Sequence, residues 1–196
     1  MRSIILTTLS ISLISGCAVT PAQWQANTYY DEFTDERTCR IEMGTPKQRA
    51  MDRAVFGTYI THNFYVENHE GELRVGVRSE PAIPISGDVQ VRVGDKLYTI
   101  TAHDTPIDLA PEISQTNNPD TFEKSYASTM ETIQKFSSPY RIYTGEQAKE
   151  LLKDIIHHKG EVKFRTIGVN NTLSQTGRFT VDDNFILALK QCGIEP

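Results

Sequence analysis

The run Val89-Gln90-Val91-Arg92-Val93-Gly94-Asp95-Lys96-Leu97-Tyr98-Thr99-Ile100 constrains the fold more than any other stretch of the chain. Apolar and polar residues alternate at the period of a pleated strand. Gly94-Asp95 forms a two-residue turn, with glycine at the first turn position. That register sets Val93 opposite Lys96, Val91 opposite Tyr98 and Val89 opposite Ile100, which gathers the apolar side chains on one face. A hairpin with one apolar and one wet face needs a second layer, so the chain points to a layered antiparallel fold.

Other segments repeat the pattern. Cys39, Ile41 and Met43 alternate with Arg40 and Glu42. From Ala54 to Val66, the residues Ala54, Phe56, Ile60, Phe64 and Val66 share a face with Thr58 and His62, while Tyr59, Thr61, Asn63 and Tyr65 point the other way. Glu67 to Gly71 is expected to reverse the chain. Leu73, Val75 and Val77 then form the next apolar face, opposed by Arg74 and Arg78.

The second half changes period. Pro106 to Asp120 carries three prolines and reads as a surface loop. Phe122, Tyr126, Met130 and Ile133 are spaced for a helix over 120–136. A stronger helix runs from Thr144 to His158. Thr144 and Gln147 are a capping-box pair, Ala148, Leu151, Leu152, Ile155 and Ile156 form its stripe, and Gly160 is placed to end it. Strands are expected over 161–167 and 177–181, then a closing helix capped by Asp182 or Asp183 in which Phe185, Leu189 and Cys192 share a face. The expectation is an α+β fold, a mainly antiparallel sheet of hairpins with helices of the C-terminal half packed on one face. A β-sandwich with peripheral helices is the alternative.

The N-terminus has a different character. Arg2 precedes an uncharged apolar run from Ser3 to Ile14, too short to span a bilayer, which ends in Leu13-Ile14-Ser15-Gly16-Cys17. This junction resembles the lipobox of bacterial lipoproteins, with Ile14 at a position where leucine is usual. The resemblance covers the leader and its junction alone. It implies that residues 1–16 are removed and that Cys17 is acylated on its sulfur and new amino terminus. Each buried methylene contributes about 0.8 kcal/mol to membrane anchoring. Ala18 is not the aspartate that retains such proteins in the inner membrane of Gram-negative bacteria, so the resemblance implies the outer membrane, periplasmic side. Residues 17–30 then serve as lipidated cysteine and short tether, with Trp24, Tyr29 and Tyr30 starting the fold, and 31–196 as a single domain.

In that compartment Cys39 and Cys192 are left as an even pair, and a disulfide is the natural inference. It would close nearly the whole domain into one loop, worth about 5 kcal/mol in the chain-entropy model. Two buried thiols that never meet are the alternative. There is no C-x-x-C motif for redox work.

Charge excludes some partners. The 196 residues carry 20 basic and 25 acidic side chains, a net charge of -5, and losing Arg2 makes it one unit more negative. That balance argues against a phosphate-binding surface and against nucleic acid. Basic residues are not expected to cluster either, the nearest thing to a patch being Lys159, Lys163 and Arg165, interrupted by Glu161 and apolar positions.

Chemistry is hard to place. No G-x-S-x-G or S-x-x-K motif is present, and no glycine-rich cofactor loop. His103, Asp104 and a distant serine make the kind of trio any chain this long supplies. Among the five histidines, His157 and His158 diverge on a helix, His69-Glu70 lacks the second histidine of a zinc motif, and His62 sits on an apolar face. Asp104, Asp108 and Glu112 are loop carboxylates, at most a weak calcium site. No metal and no cofactor is expected.

Recognition is the remaining class. Tyr59, Tyr65, Arg74, Arg78 and Arg92 fall on the outward faces of the two hairpins and are residue types enriched at interfaces. The expected function is that of an anchored, non-catalytic envelope lipoprotein whose partners are the bilayer, through Cys17, and an envelope protein or polymer near the outer membrane. The alternatives are a periplasmic hydrolase with a site assembled from scattered His and carboxylate residues, and a carrier of lipid or small ligand with an apolar cavity between sheet and helices.

Overall fold

A computed structural model describes residues 24–44, 61–111, 123–168 and 176–195. In chain order the strands are β1 (Trp24–Tyr30), β2 (Arg37–Met43), β3 (Thr61–His69), β4 (Glu72–Glu80), β5 (Asp88–Val93), β6 (Lys96–Ile100), β7 (Tyr140–Tyr143), β8 (Glu161–Ile167) and β9 (Gly177–Thr180). The helices are α1 (Glu123–Phe136), α2 (Gly145–His158) and α3 (Asp183–Gln191), with one 3₁₀ turn at Ile107–Leu109. The class is α+β, as the switch from period two to helical spacing implies. Instead of one sheet there are two, both antiparallel: five strands in the order β1-β2-β3-β4-β7 and four in the order β6-β5-β8-β9.

The Gly94-Asp95 hairpin has the register its alternation dictates, with Val93, Val91 and Val89 paired to Lys96, Tyr98 and Ile100. Gly94 takes a φ of 57°. The turn between β3 and β4 is tighter than expected. It uses only Glu70 and Gly71, both at positive φ, so Glu67, Asn68 and His69 stay in the strand. The reading of Ala54 to Val66 as one strand lies partly outside the described residues; from Thr61 onward it is β3.

β7 was not expected from the sequence. It fits because Gly76 lies under it: a Cβ at Gly76 would meet the Arg141 carbonyl at 2.1 Å, so only glycine lets β4 and β7 pair.

The apolar faces of both sheets share one core with α2 and α3. Ile41, Phe64, Val66, Val75 and Val77 come from the first sheet, and Val89, Val91, Ile100, Val162, Phe164 and Phe179 from the second. Into it α2 delivers Ala148, Leu151, Leu152 and Ile155, each large side chain contributing about 2 kcal/mol by burial. Thr144 is the N-cap, but its side chain makes no capping bond. Lys159, at a left-handed φ of 47°, ends α2 in place of Gly160. Asp182 caps α3 by accepting from the Phe185 amide at 2.9 Å.

Both ends of the described chain are fastened to this core. Cys39 on β2 and Cys192 at the end of α3 form a disulfide, with Cα atoms 5.3 Å apart across 153 positions. The Asn68 side chain donates to the Cys192 carbonyl at 2.8 Å. Trp24 corrects the expected tether. It is 5% exposed, its ring packs against Phe179 and Phe185, and its Nε1 donates to the Thr180 carbonyl at 3.3 Å. Residues 24–30 are therefore an edge strand of the five-stranded sheet, and a tether has at most residues 18–23 to use.

Candidate binding face on the four-stranded sheet

The outward-pointing residues behave differently on the two sheets. On the five-stranded sheet, Tyr65, Arg74 and Arg78 do leave the apolar face, as alternation requires, yet they are enclosed. Tyr65 is 0% and Arg74 5% exposed. They belong to a layer of ion pairs. Glu67 accepts from Arg40 Nε at 2.6 Å and lies 3.6 Å from Arg74. Arg74 also meets Glu72 at 2.9 Å and Asp108, from the 3₁₀ turn, at 2.8 Å. Arg78 pairs with Glu42 at 2.9 Å.

The Arg40 guanidinium lies over the Tyr65 ring, 5.2 Å from its centre. Burial, with Glu67 beside it, pushes the Tyr65 phenol well above its ordinary range, so it stays neutral. Burial alone would lower the ionisation of Arg40, but Glu67, Tyr65 and Tyr140 hold it above the ordinary value. These arginines are paired with carboxylates, so the expectation that Tyr65, Arg74 and Arg78 form an open recognition surface is corrected. A second buried cation, Arg141, is satisfied by carbonyls alone. It donates to Gly87, Ile85, Ser138, Lys135 and Tyr140, and burial lowers its ionisation to about 10.

On the four-stranded sheet the outer face is open among the described residues. Val89, Val91 and Val93 point inward, so Asp88, Gln90 and Arg92 point out; Val162 and Phe164 do the same for Glu161, Lys163 and Arg165, and Phe179 for Arg178 and Thr180. Register then builds a row across three strands: Arg92 is paired with Lys163, and Lys163 with Arg178. Arg165 stands beside the row, held by Gln90 Oε1 at 2.8 and 3.1 Å.

Among the described residues, the ion pairs of these four cations are with one carboxylate, Glu161, which lies 3.2 Å from Lys163 and 3.7 Å from Arg178. Asp88 is at the far end of β5. Arg92 has no hydrogen-bonding or ionic partner among the described residues. A shallow cleft of about 240 Å³ is lined by Gln90, Arg92, Leu97, Lys163, Arg165 and Thr176, and Leu97 is 48% exposed. The expectation that basic residues do not cluster is thus corrected: each strand supplies one or two, and cross-strand pairing assembles them.

The remaining candidates are dispersed. Cys17, Tyr59 and Glu112 lie outside the described residues. The His103 ring packs edge-on against Phe136, and Asp104 accepts from the Thr101 amide and hydroxyl, so neither is directed at a serine. His69 Nδ1 meets the Thr38 hydroxyl, His157 Nδ1 the Lys153 carbonyl, and the His158 ring lies beside Gly94 and Gly160. His62 lines a cleft of about 160 Å³ with Trp24, Phe64 and Phe179, smaller than the usual 300–1,000 Å³ of a ligand pocket. Among the described residues no three His, Cys, Asp or Glu side chains group as a metal site, and no helix is long and apolar enough to cross a membrane.

What the Arg92 face can do chemically is bind anions. It offers guanidinium forks and an ammonium with few counter-charges among the described residues, beside an exposed leucine. Comparison with protein-family models, curated proteins and solved structures finds no match to this chain.

Proposed function

We propose that the chain is an envelope lipoprotein, acylated at Cys17 and held at the periplasmic side of the outer membrane, that binds an anionic envelope component and performs no chemistry. The observation that carries this reading is the Arg92–Lys163–Arg178 row, a concentration of positive charge on a chain whose net charge is -5. A local field of this kind recruits anionic partners whatever the sign of the whole molecule. The lipobox supports the compartment, and the Cys39–Cys192 bridge suits an oxidising one.

Two measurements test the reading. Mass spectrometry of membrane-extracted protein should find acyl chains on residue 17, and Cys17→Ser should move the protein to the soluble fraction; an unmodified Cys17 on cytosolic protein would sink the anchor. Binding to anionic envelope fractions should weaken steeply with salt and fall in Arg92→Ser/Arg178→Ser. Salt-independent binding that survives both changes would sink the binding face.

A further inference from the structure

We infer that the anionic component facing Arg92, Lys163, Arg165 and Arg178 is the phosphate layer of the membrane that holds the protein's own lipid anchor. The inference rests on the proposed lipidation and on the binding face, and it names the partner of that face. It follows from where the anchor must leave the fold.

Trp24 is locked in place. Its indole donates to the Thr180 carbonyl on β9, and its ring is wedged between Phe179 and Phe185. The seven Cα steps from residue 17 to Trp24 span at most about 25 Å when fully extended, so the acylated residue cannot lie far from β9. β9 is the edge strand of the four-stranded sheet, and it carries the first cation of the row. Arg178 is two residues from Thr180, about 7 Å along the strand; Lys163 is one strand further, about 5 Å, and Arg92 one strand beyond that. The whole row falls within the radius the tether allows around Trp24.

The other end of β1 points elsewhere. Tyr30 lies about 20 Å from Trp24 along the strand, and the hairpin beyond it carries Asp31, Glu32, Asp35 and Glu36, charges that a phosphate layer would repel. Charge therefore selects the face, and the tether, attached beside β9, is long enough to reach it. Leu97, 48% exposed within that face, supplies apolar area for the headgroup boundary. An acyl anchor plus a basic surface is the two-signal arrangement that makes membrane attachment durable, and each cation near an anionic surface multiplies binding by about fivefold.

The test uses the mature chain, residues 17–196, with Cys17→Ser, so that the face is measured without the anchor; circular dichroism and the intact Cys39–Cys192 crosslink establish its fold. Cosedimentation is read with vesicles of phosphatidylcholine alone and mixed with phosphatidylglycerol, at low and high salt. The expected result is binding to the anionic vesicles only, lost at high salt and reduced about 25-fold by Arg92→Ser/Arg178→Ser, while Lys149→Ser on α2 leaves it unchanged. Equal binding to neutral vesicles, or an unaffected double variant, overturns the inference. Salt-dependent capture of a soluble phosphorylated polysaccharide by the same arginines, without vesicle binding, overturns it too and leaves the binding face standing. Failure with both probes removes the face and the inference together.

Discussion

Arg92 and Lys163 stand directly opposite each other on β5 and β8, and Lys163 is in turn opposite Arg178 on β9. Facing like charges are unfavourable in a sheet, and among the described residues Glu161 offsets two of the three. Lys163→Glu converts two repulsive pairs into attractive ones and gives up the exposed 3.2 Å pair with Glu161, which solvent screens. It should raise the unfolding free energy by about 0.5–1 kcal/mol at low ionic strength, with the gain shrinking as salt is added, while weakening anion binding. Urea denaturation at two salt concentrations checks this, and a variant no more stable than the parent would mean the row carries no strain.

Closing the chain between Cys39 and Cys192 restricts the unfolded ensemble, because the loop spans 153 positions. The chain-entropy relation gives about 5 kcal/mol for such a loop. Reduction, or Cys39→Ser, should therefore lower stability by about 2–5 kcal/mol, read from the denaturation midpoint with and without reductant. The loss should come with fraying of α3, since Cys192 terminates that helix.

What the sequence discloses and what it hides divide along a physical line. The Gly94-Asp95 hairpin, the stripe of α2 and the inward face of α3 are encoded within a few residues, by turn chemistry and periodicity, and each can be read residue by residue. Alternation also sends Tyr65, Arg74 and Arg78 away from the core. It says nothing about whether another segment covers them, and Asp108, from the distant 3₁₀ turn, does so at Arg74. The basic face is hidden for the opposite reason. Its cations come from β5, β8 and β9, so no run of sequence looks basic; the readable trace is Lys163 and Arg165 alternating with Val162 and Phe164. β1 is hidden because Gln25-Ala26-Asn27-Thr28 carries no apolar alternation, and its strand character comes from pairing with β2 and from the cross-sheet contact of Trp24.

Glu67 is 1% exposed and accepts from Arg40 while facing Arg74. Removing its charge takes from Arg40 its close carboxylate in a space with little water, while Arg74 keeps Glu72 and Asp108. Glu67→Gln should cost about 3–5 kcal/mol. Glu72, bonded to the same Arg74 but with its side chain 47% exposed, should cost less than about 1 kcal/mol on the equivalent change, because solvent screens it. Equal effects from the two variants would contradict this ranking.

Arg141 presents a different economy of donors. Its guanidinium reaches the carbonyls of Gly87, Ile85, Ser138, Lys135 and Tyr140, tying the entry to β5 to the start of β7. Lysine keeps the charge but has three donors at one point. Arg141→Lys should lose about 2–3 kcal/mol through carbonyls left without a partner, and hydrogen exchange should rise at the Ile85 amide, which donates to Ser138.

His62 gives the fold an acid-sensitive element. Burial lowers its pKa from the ordinary 6.5, because the charged ring is poorly solvated beside Phe64 and Trp24. In the interval between the two values the unfolded chain binds more protons than the folded one, so stability rises with pH across it. As pH falls below about 6.5 the wild type should lose this contribution until the folded-state ring itself protonates, after which the loss levels off. Asp154, held low by its hydrogen bonds with Lys96 and Tyr98, acts separately, since its window lies below 3.8. His62→Gln should flatten the stability profile just below pH 6.5 and leave the lower window in place. Chemical denaturation across that range checks the sign, and a profile that rises on acidification would show that the ring is better solvated in the fold than in the unfolded chain.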